Sequence, residues 1–347
     1  MTDIFTRLKL AGRALLKGQP APGSRRQVPA ITPEEVAEAK AFFPLEKFFI
    51  FGHARSGTTL LTRLVRLHAQ VHCNYQAHFF TRQPLLEALV AEEDVGMWLS
   101  RRSNRWNQGR DLSPLVLRAA ADFIMERDAR RAGKGNPGCI VGDKSPNSLL
   151  DGDAVRQLVK VYPDARLVFI VRDGRDAAVS HRFQAFIDRP QHLNTEDLRI
   201  RDEFIRDATP FVSGQRSIFT EKSLAQAARG WVHNVVETDK AARELLPESY
   251  HSLRYEDLLT STWETMRALW ATLGADITSP GLKEAVDAEL QENPDADWQQ
   301  EKASDIASAL TKGQRGTWRE LFTPHDRQIF EEIAGGTLAE WGYEVKS

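Results

Sequence analysis

The first residues of this chain with a clear chemical use lie in the stretch KFFIFGHARSGTTLLT, residues 47–62. Residues 47–51 have the length and apolar character of a short buried strand, Gly52 opens a loop, and from Gly57 onward apolar residues recur at helical spacing. A strand, a glycine-bounded loop and a helix in this order aim backbone N–H groups and the helix N-terminus at a phosphate. The stretch is therefore a candidate anion cradle, and an ordinary glycine turn before a helix is the alternative.

The position of the positive charge in this loop indicates which phosphate it would bind. The spacing Gly52-x4-Gly57 matches a Walker A loop, but Thr58 stands where that loop has its lysine, and the cation lies inside the loop as Arg55. A triphosphate with Mg²⁺ normally needs that lysine, so the sequence indicates a cradle for a different phosphate. The candidate anion ligands are Arg55, Ser56, Gly57, Thr58 and Thr59.

A second pair of anion-binding side chains follows the third predicted strand, in the stretch LVFIVRDGRDAAVSHR. Arg172 lies at the tip of this strand, and Ser180 lies about two turns into the next helix. A guanidinium and a hydroxyl at these positions can converge on one anion beside the helix. The alternative is that Arg172 pairs with Asp173 or Asp176 and that Ser180 caps local backbone.

Two later segments could complete such a site. In TKGQRGTWRELFTPHD, residues 311–326, Lys312 and Gly313 lie close to Gly316 and Trp318, so that backbone could approach a ligand beside a positive charge. In RYEDLL, residues 254–259, Tyr255 offers an aromatic edge with a hydroxyl. A glycine-rich turn before a helix and an ordinary strand end are the alternatives.

These motifs need a framework, and the alternation of apolar runs with helical patterns predicts an α/β protein. We expect strands at 47–51, 72–80, 139–141, 166–171 and 250–254. We expect one helix capped by Thr32 and Glu35, helices that begin near Gly57 and Gly174, and helices over 84–101, 114–132 (with Ser113 as cap), 151–161, 222–246, 262–273, 280–290 and 324–340. This alternation favours right-handed βαβ units and therefore a three-layer α/β/α fold with a central parallel sheet. Ligands of such sheets bind beyond the carboxyl ends of the strands, where each polar motif lies.

The domain organisation predicted from composition is one large domain with an N-terminal extension. The extension, residues 1–45, contains a basic amphipathic stretch at 4–17 that could contact a membrane surface, then a Pro/Gly/basic linker and the capped helix. Residues 46–347 form the domain. Within it, the polar stretch 187–221 is expected to be an irregular, lid-like insertion.

Charge and hydropathy exclude several function classes. The 347 residues include 46 basic and 48 acidic side chains, a formal charge of −2, so nothing suggests a nucleic-acid partner. Two cysteines favour a reducing compartment, and no apolar run reaches the roughly 18 residues of a membrane span. We expect a cytoplasmic protein without a transmembrane segment, and the sequence leaves its oligomeric state open.

Together these motifs resemble the sulfotransferases that use 3′-phosphoadenosine 5′-phosphosulfate (PAPS), over about residues 47–318. The resemblance implies a P-loop NTPase-like fold in which residues 54–59 hold the 5′-phosphosulfate. It further implies that Arg172 and Ser180 hold the 3′-phosphate, that Lys312-Gly313 closes over the same phosphate and that Tyr255 lies near the adenine. The implied activity moves a sulfuryl group from PAPS to a hydroxyl of a glycan, lipid or small molecule and releases 3′-phosphoadenosine 5′-phosphate (PAP).

The residues present are compatible with that chemistry. Sulfuryl transfer resembles phosphoryl transfer, in which catalysis is mostly positioning and charge stabilisation. Arg55 and the amides of residues 56–59 can stabilise the leaving phosphate without a metal. Lys144, in GDKSPN, resembles the family lysine that approaches the transferring group, and a salt bridge with Asp143 is its alternative role.

The general base departs from the family pattern. Many family members have a glutamate in a segment like the one that reads Gln76-Ala77-His78 here, and glutamine cannot serve as the base. On an extended segment Gln76 and His78 would point the same way, which makes His78 the substitute candidate. Asp143 and His53 are rival bases, and a purely structural His78 is a further possibility.

Two other functions stay open at the level of sequence. One is a nucleotide-dependent small-molecule kinase, which the missing Walker lysine and the pair Arg172 and Ser180 oppose. The other is a non-catalytic module that binds PAP or PAPS, which Gln76 favours because it replaces the expected base.

Overall fold

A parallel β-sheet forms the centre of the protein. The structure, a computed structural model, describes residues 27–82, 85–90, 92–147, 149, 151–291 and 316–345. The strands are β1 (Glu46–Gly52), β2 (Val71–Tyr75), β3 (Ile140–Lys144), β4 (Arg166–Val171) and β5 (Tyr250–Arg254). They lie in the order β2-β3-β1-β4-β5, and every neighbouring pair is parallel. All carboxyl ends of the strands therefore meet at one edge of the sheet.

Helices connect the strands and cover both faces of the sheet. In the first half of the chain they are α1 (Pro33–Phe42), α2 (Thr58–Leu67), α3 (Leu85–Val90), α4 (Glu93–Ser100), α5 (Ser113–Arg131), α6 (Asp153–Val161) and α7 (Gly174–Asp188). In the second half they are α8 (Thr195–Arg206), α9 (Thr209–Val212), α10 (Glu221–Leu245), α11 (Tyr255–Thr260), α12 (Thr262–Leu273), α13 (Leu282–Gln291), α14 (Trp318–Leu321) and α15 (Pro324–Glu340).

The apolar strand β1 explains the layering. Its side chains alternate between the two faces, so Phe49 and Phe51 belong to one hydrophobic cluster while Phe48 and Ile50 belong to the other. A continuous apolar run such as residues 48–51, buried on both faces, is typical of a parallel sheet covered by helices on both sides. The predicted fold class, a three-layer α/β/α arrangement around a parallel sheet, is confirmed.

Several predicted boundaries are wrong in instructive ways. The helical pattern over 84–101 is two helices, α3 and α4, since the acidic residues Glu93 and Asp94 favour a new helix N-terminus in the first turn of α4. Strand β2 ends at Tyr75 rather than near residue 80, and β3 runs on to Lys144. Ser113 is not the cap of α5: its hydroxyl donates to the Asp111 carboxylate from inside the first turn.

The stretch 187–221 is largely helical, so the expectation that it is irregular is wrong. It contains a 3₁₀ turn at Pro190–His192 followed by α8 and α9. Apolar residues hold it in place: Phe204 and Phe211 are buried, and the Phe204 ring lies 5.2 Å from that of Phe183 on α7. A polar average over the stretch concealed these buried positions. Its role as a lid stays a prediction.

Part of the N-terminal extension packs against the domain. The capping box of Thr32 and Glu35 is confirmed, and the Ile31 N–H donates to the Lys160 carbonyl at 2.7 Å. The expected contact of residues 4–17 with a membrane lies outside the described residues. Among the helices that are described, none is both long and apolar enough to cross a membrane.

Candidate active site

The loop between β1 and α2 has the shape of an anion cradle. Arg55 and Gly57 both adopt left-handed backbone conformations, with φ of 70° and 84°, and the Ser56 N–H donates to the His53 carbonyl at 3.1 Å. A Cβ at Gly57 would lie 2.1 Å from Cδ2 of the Tyr255 ring. Glycine is therefore required at Gly57 both for its conformation and for the close approach of the Tyr255 ring.

The N-terminus of α2 faces the same loop. The helix begins at Thr58, and the first amides of a helix have no acceptor within it. The Ser56 hydroxyl is buried without a hydrogen-bond partner in the described part of the chain. Amides without an acceptor in their own helix, no side-chain cap and a buried hydroxyl are the features that a bound phosphate or sulfate would satisfy.

The two predicted cationic centres lie next to each other. The Arg55 Nε donates to the Ser180 hydroxyl at 3.0 Å, and the Arg172 Nη1 donates to the Arg55 carbonyl at 3.2 Å. The Arg172 guanidinium also lies over the Tyr255 ring, 4.8 Å from its centroid. Four side chains predicted from three separate motifs thus line one space beyond the carboxyl ends of β1, β4 and β5.

The start of α7 explains how Arg172 reaches this space. The Arg172 carbonyl accepts a hydrogen bond from the Trp231 indole N–H at 3.1 Å. Gly174 lies so close to the same indole that a Cβ on Gly174 would be 2.5 Å from the ring. Asp173 accepts from the Arg175 backbone and pairs with its guanidinium at 2.8 Å. Asp173 is therefore engaged by Arg175, and Arg172 points toward the loop of Arg55.

Asp176 joins α7 to the chain that follows the Lys312-Gly313 motif. Its carboxylate accepts from the backbone N–H groups of Gly316, at 2.6 Å, and of Trp318, at 3.1 Å. Burial raises the pKa of this carboxyl, while the Arg172 charge opposes the rise. Lys312 and Gly313 themselves lie outside the described residues, so their predicted contact with the donor stays a prediction.

Lys144 is the last residue of β3 and is fully buried. Its Nζ lies 3.4 Å from the Thr59 hydroxyl in the first turn of α2 and 5.1 Å from the centroid of the Tyr75 ring. The ammonium therefore faces the same helix N-terminus as the cradle. This is the position that a cation needs to approach a group held by residues 55–59.

The segment after β2 is not extended, and the expectation that Gln76 and His78 point the same way from an extended segment is wrong. Both residues have left-handed backbones, with φ of 55° and 53°. The cause is a set of bonds to the end of β3, in which the Gln76 N–H donates to the Lys144 carbonyl at 2.7 Å. The Ala77 N–H donates to Asp143 at 3.0 Å and the His78 N–H to the Ser145 hydroxyl at 2.8 Å.

The His78 imidazole is kept neutral by its surroundings. Burial, with smaller contributions from the charges of Arg82 and Lys144, lowers its pKa to about 4. Its Nδ1 lies 2.8 Å from the Thr81 hydroxyl. In the tautomer whose Nδ1–H donates to Thr81, the Nε2 lone pair is available to accept a proton.

The rival bases have different surroundings. Asp143 is only 1% exposed and accepts from Ala77 on one oxygen and from the Ser145 hydroxyl on the other, at 2.6 Å. Burial raises its pKa to about 6. Burial likewise lowers the pKa of His53 to about 4, with the His181 charge adding to the effect. Asp143 is a more basic group than His78, but both of its oxygens are buried and already accept hydrogen bonds, whereas the His78 ring is partly exposed.

Tyr75 is a further candidate site residue, which sequence reasoning missed. It is the last residue of β2 and lies opposite Lys144 in the register of the parallel pair. The Tyr75 ring is half-exposed. Two cations lie over it: the Arg66 guanidinium of α2, 5.2 Å from the ring centroid, and the Lys144 ammonium, 5.1 Å from it. The signal that could have identified Tyr75 is the strand register, because it places the last residues of β2 and β3 side by side once the lengths of both strands are known.

Comparisons with known proteins point to one family. The family model described as "Sulfotransferase family" matches residues 47–279, about two thirds of the chain. A protein-tyrosine sulfotransferase of Drosophila melanogaster is 25% identical over 223 residues, which are 64% of this chain and 36% of that protein. Protein-tyrosine sulfotransferase 1 of Danio rerio is 26% identical over 127 residues, which are 37% of this chain and 32% of that protein. The chain thus spans about a third of the length of these curated relatives.

Solved structures of sulfotransferases are similar as well. A mouse sulfotransferase in complex with PAP has a TM-score of 0.46 at 16% identity, over 89% of this chain and 93% of that one. A sulfotransferase from Alicyclobacillus acidocaldarius has a TM-score of 0.41 at 17% identity, over 79% of this chain and 98% of that one.

Proposed function

Because the chain belongs to the sulfotransferase family, we propose that it transfers a sulfuryl group from PAPS to a hydroxyl acceptor and releases PAP. The observation that supports this most strongly is the contact of Arg55 with both Ser180 and Arg172, at 3.0 and 3.2 Å. A single nucleotide with anionic groups at its 5′ and 3′ ends matches two adjacent cations, one in the cradle and one at the tip of β4.

On the donor side, the chain's own residues bind and orient. Arg55 and residues 56–59 hold the 5′ end, where donors come from the first amides of α2 and from the Ser56 hydroxyl, which has no partner among the described residues. Arg172 and Ser180 hold the 3′-phosphate, with Lys312-Gly313 closing over it. Tyr255, which packs against Gly57, lies beside the adenine.

On the acceptor side, Lys144 and His78 have separate roles. The Lys144 ammonium, beside Thr59, stabilises the charge that develops when the bond to the 5′-phosphate breaks. His78, neutral at pH 7 because burial lowers its pKa to about 4, accepts the proton of the attacking hydroxyl. The bound donor supplies the activated sulfuryl group.

The direct test is transfer of radiolabelled sulfate from PAPS to a panel of sugars, phenols, sterols, lipids and peptides. Labelled product from at least one class is the expected result, with equimolar PAP. Arg55→Ala serves as the matched negative control, because it removes the cation of the cradle and leaves the fold of the sheet intact.

A kinase is the enzymatic alternative, and calorimetry distinguishes it. We expect PAP to bind in the absence of Mg²⁺ and ATP with Mg²⁺ to bind more weakly, since Thr58 stands where a triphosphate needs a lysine. Tighter binding of ATP with Mg²⁺ than of PAP contradicts the proposal.

A non-catalytic module is the second alternative, and Gln76 at the family's glutamate position is the observation that favours it. Such a module binds PAP with micromolar or better affinity and shows no turnover on any acceptor of the panel. Turnover that depends on His78 rules it out.

A further inference from the structure

We propose that Asp143 and Ser145 form a clamp that holds residues 76–78 in a left-handed backbone conformation, and that this clamp positions His78 beside Lys144. The proposal rests on the proposed function for its catalytic consequence. The clamp itself is a structural statement that can be tested without any acceptor. Asp143 and Ser145 are positioning residues, because they act on the reaction only through the segment that carries His78.

The first observation is that three consecutive amides bind three consecutive residues. The N–H groups of Gln76, Ala77 and His78 donate in turn to the Lys144 carbonyl, an Asp143 oxygen and the Ser145 hydroxyl, at 2.7, 3.0 and 2.8 Å. The Ser145 hydroxyl can accept from His78 in a fixed direction because its own proton goes to the second Asp143 oxygen, at 2.6 Å. Each hydrogen bond in this series therefore has one defined donor and one defined acceptor.

The second observation is that the clamped segment is held in an unfavourable conformation. Gln76 and His78, with φ of 55° and 53°, are both in the left-handed region, which residues with a Cβ rarely occupy. Neither is a glycine, so local sequence does not favour this shape, and the surrounding bonds must impose it. Strain of this kind is concentrated at functional sites in proteins.

The third observation is that the residues that form the clamp are buried, whereas His78, which the clamp positions, is partly exposed. Asp143 and Ser145 are each 1% exposed, and Lys144 between them is 0% exposed, so β3 provides a rigid base. His78 is half-buried and reaches the Thr81 hydroxyl with its ring. Thr81 is fully buried, so backbone and ring of His78 are both fixed.

The direction of the Asp143 pKa supports this role. Burial raises the pKa of Asp143 to about 6, and the bonds from Ser145 and Ala77 oppose the rise by stabilising the ionised carboxylate. At pH 7.5 the group is an acceptor for both bonds. Asp143→Asn keeps an oxygen for the Ala77 N–H but loses the acceptor of the Ser145 proton.

The experiment compares Asp143→Asn and Ser145→Ala with the wild-type chain at pH 7.5 by two independent measurements. Hydrogen exchange, followed by mass spectrometry over a peptide containing residues 76–78, should be at least tenfold faster in both variants. Turnover should fall at least tenfold, while the Kd for PAP stays within twofold because the donor side is untouched. Unchanged exchange in both variants overturns the clamp.

A glycine rescue tests the strain itself. In the Ser145→Ala background, Gln76→Gly should restore turnover at least threefold, because glycine adopts φ near 55° without a steric penalty. Gln76→Ala is the matched control: it removes the same exposed side chain, keeps the Cβ and should restore nothing. Equal rescue by alanine contradicts the role of strain.

The outcomes separate the clamp from its rivals. If Asp143 is itself the base, Asp143→Asn abolishes turnover and Ser145→Ala leaves both turnover and exchange unchanged, which overturns the proposal. If the wild-type chain sulfates nothing, the proposed function fails, and the exchange measurement still decides whether the clamp exists.

Discussion

At the scale of single residues, Arg172 carries the sharpest prediction for donor binding. Its guanidinium lies between the Arg55 carbonyl and the Tyr255 ring, at the place we assign to the 3′-phosphate. Arg172→Ala should weaken PAP binding by about 1.5–3 kcal/mol, the typical loss of a charge-assisted contact. Arg172→Lys should lose part of this, since it keeps the charge without the planar fork.

The measurement is isothermal titration with PAP at fixed ionic strength. Arg243→Ala is the control, because this exposed arginine pairs with Asp239 on α10 and takes no part in the site. Equal PAP affinity in wild type and Arg172→Ala contradicts the assigned 3′-phosphate contact.

His78 makes the corresponding prediction for chemistry. His78→Ala should lower kcat by about 10²–10⁴-fold, the usual contribution of a general base, with the Kd for PAP unchanged. Because burial lowers the pKa of His78 to about 4 in the free protein, kcat/KM should have no His78 limb near pH 6.5. A pH–rate series with the exposed His192→Ala as control checks both points, and equal turnover without the imidazole at every pH removes His78 as the base.

At the scale of elements, the turn from β1 to α2 depends on Gly57. A residue with a Cβ at this position would have to adopt φ of 84°, and its Cβ would lie 2.1 Å from the Tyr255 ring. Gly57→Ala should therefore destabilise the protein by about 1–3 kcal/mol through strain and overpacking, and should weaken PAP binding at least tenfold.

A second glycine provides the matched control for that change. Gly230 lies within α10, where a Cβ would meet nothing within 4 Å. Gly230→Ala should be neutral or stabilise by up to about 1 kcal/mol, because alanine is the better helix former. Urea unfolding and PAP titration of both variants decide the matter, and equal behaviour of the two variants refutes the special role of Gly57.

The elements also show what sequence could and could not predict. The anion cradle, the position of Arg172 at the tip of β4 and the start of α7 could be predicted from sequence, since each is a local pattern of an apolar run, a glycine and polar residues. The path of residues 76–78 was not, because the bonds from Asp143 and Ser145 come from a distant part of the chain. The same holds for Tyr75, whose neighbour Lys144 is set by strand register. Local patterns predict elements, whereas contacts between elements decide which way a side chain faces.

At the scale of the whole molecule, the site is assembled from distant parts of one chain. Glu256, next to Tyr255, accepts from the Asp173 N–H at 3.0 Å and from the Tyr343 hydroxyl at 2.9 Å. Through Glu256, the segment after α15 thereby supports both the backbone that follows Arg172 and the start of α11, where Tyr255 lies. The parallel sheet makes this possible, since it gathers the carboxyl ends of β1, β3, β4 and β5 at one edge.

His53, whose ring is partly buried at the start of the loop after β1, makes stability depend on pH. Burial lowers the pKa of His53 from 6.5 to about 4, helped by the nearby His181, while Asn234 opposes the shift. Between these two pKa values the unfolded chain binds a proton at His53 that the folded chain does not. The contribution of His53 to stability is therefore present above pH 6.5 and is lost as the pH falls toward about 4.

The variant His53→Gln should remove this dependence, because glutamine does not titrate. Wild type should lose more unfolding free energy than His53→Gln between pH 7 and pH 5, and the difference between the two chains should change with the slope of a single proton. Urea unfolding at several pH values measures it, with the exposed His192→Gln as the control that keeps the wild-type slope. Parallel curves for wild type and His53→Gln would mean that His53 is protonated equally in both states, and that the cradle stays open to water at the first residue of its loop.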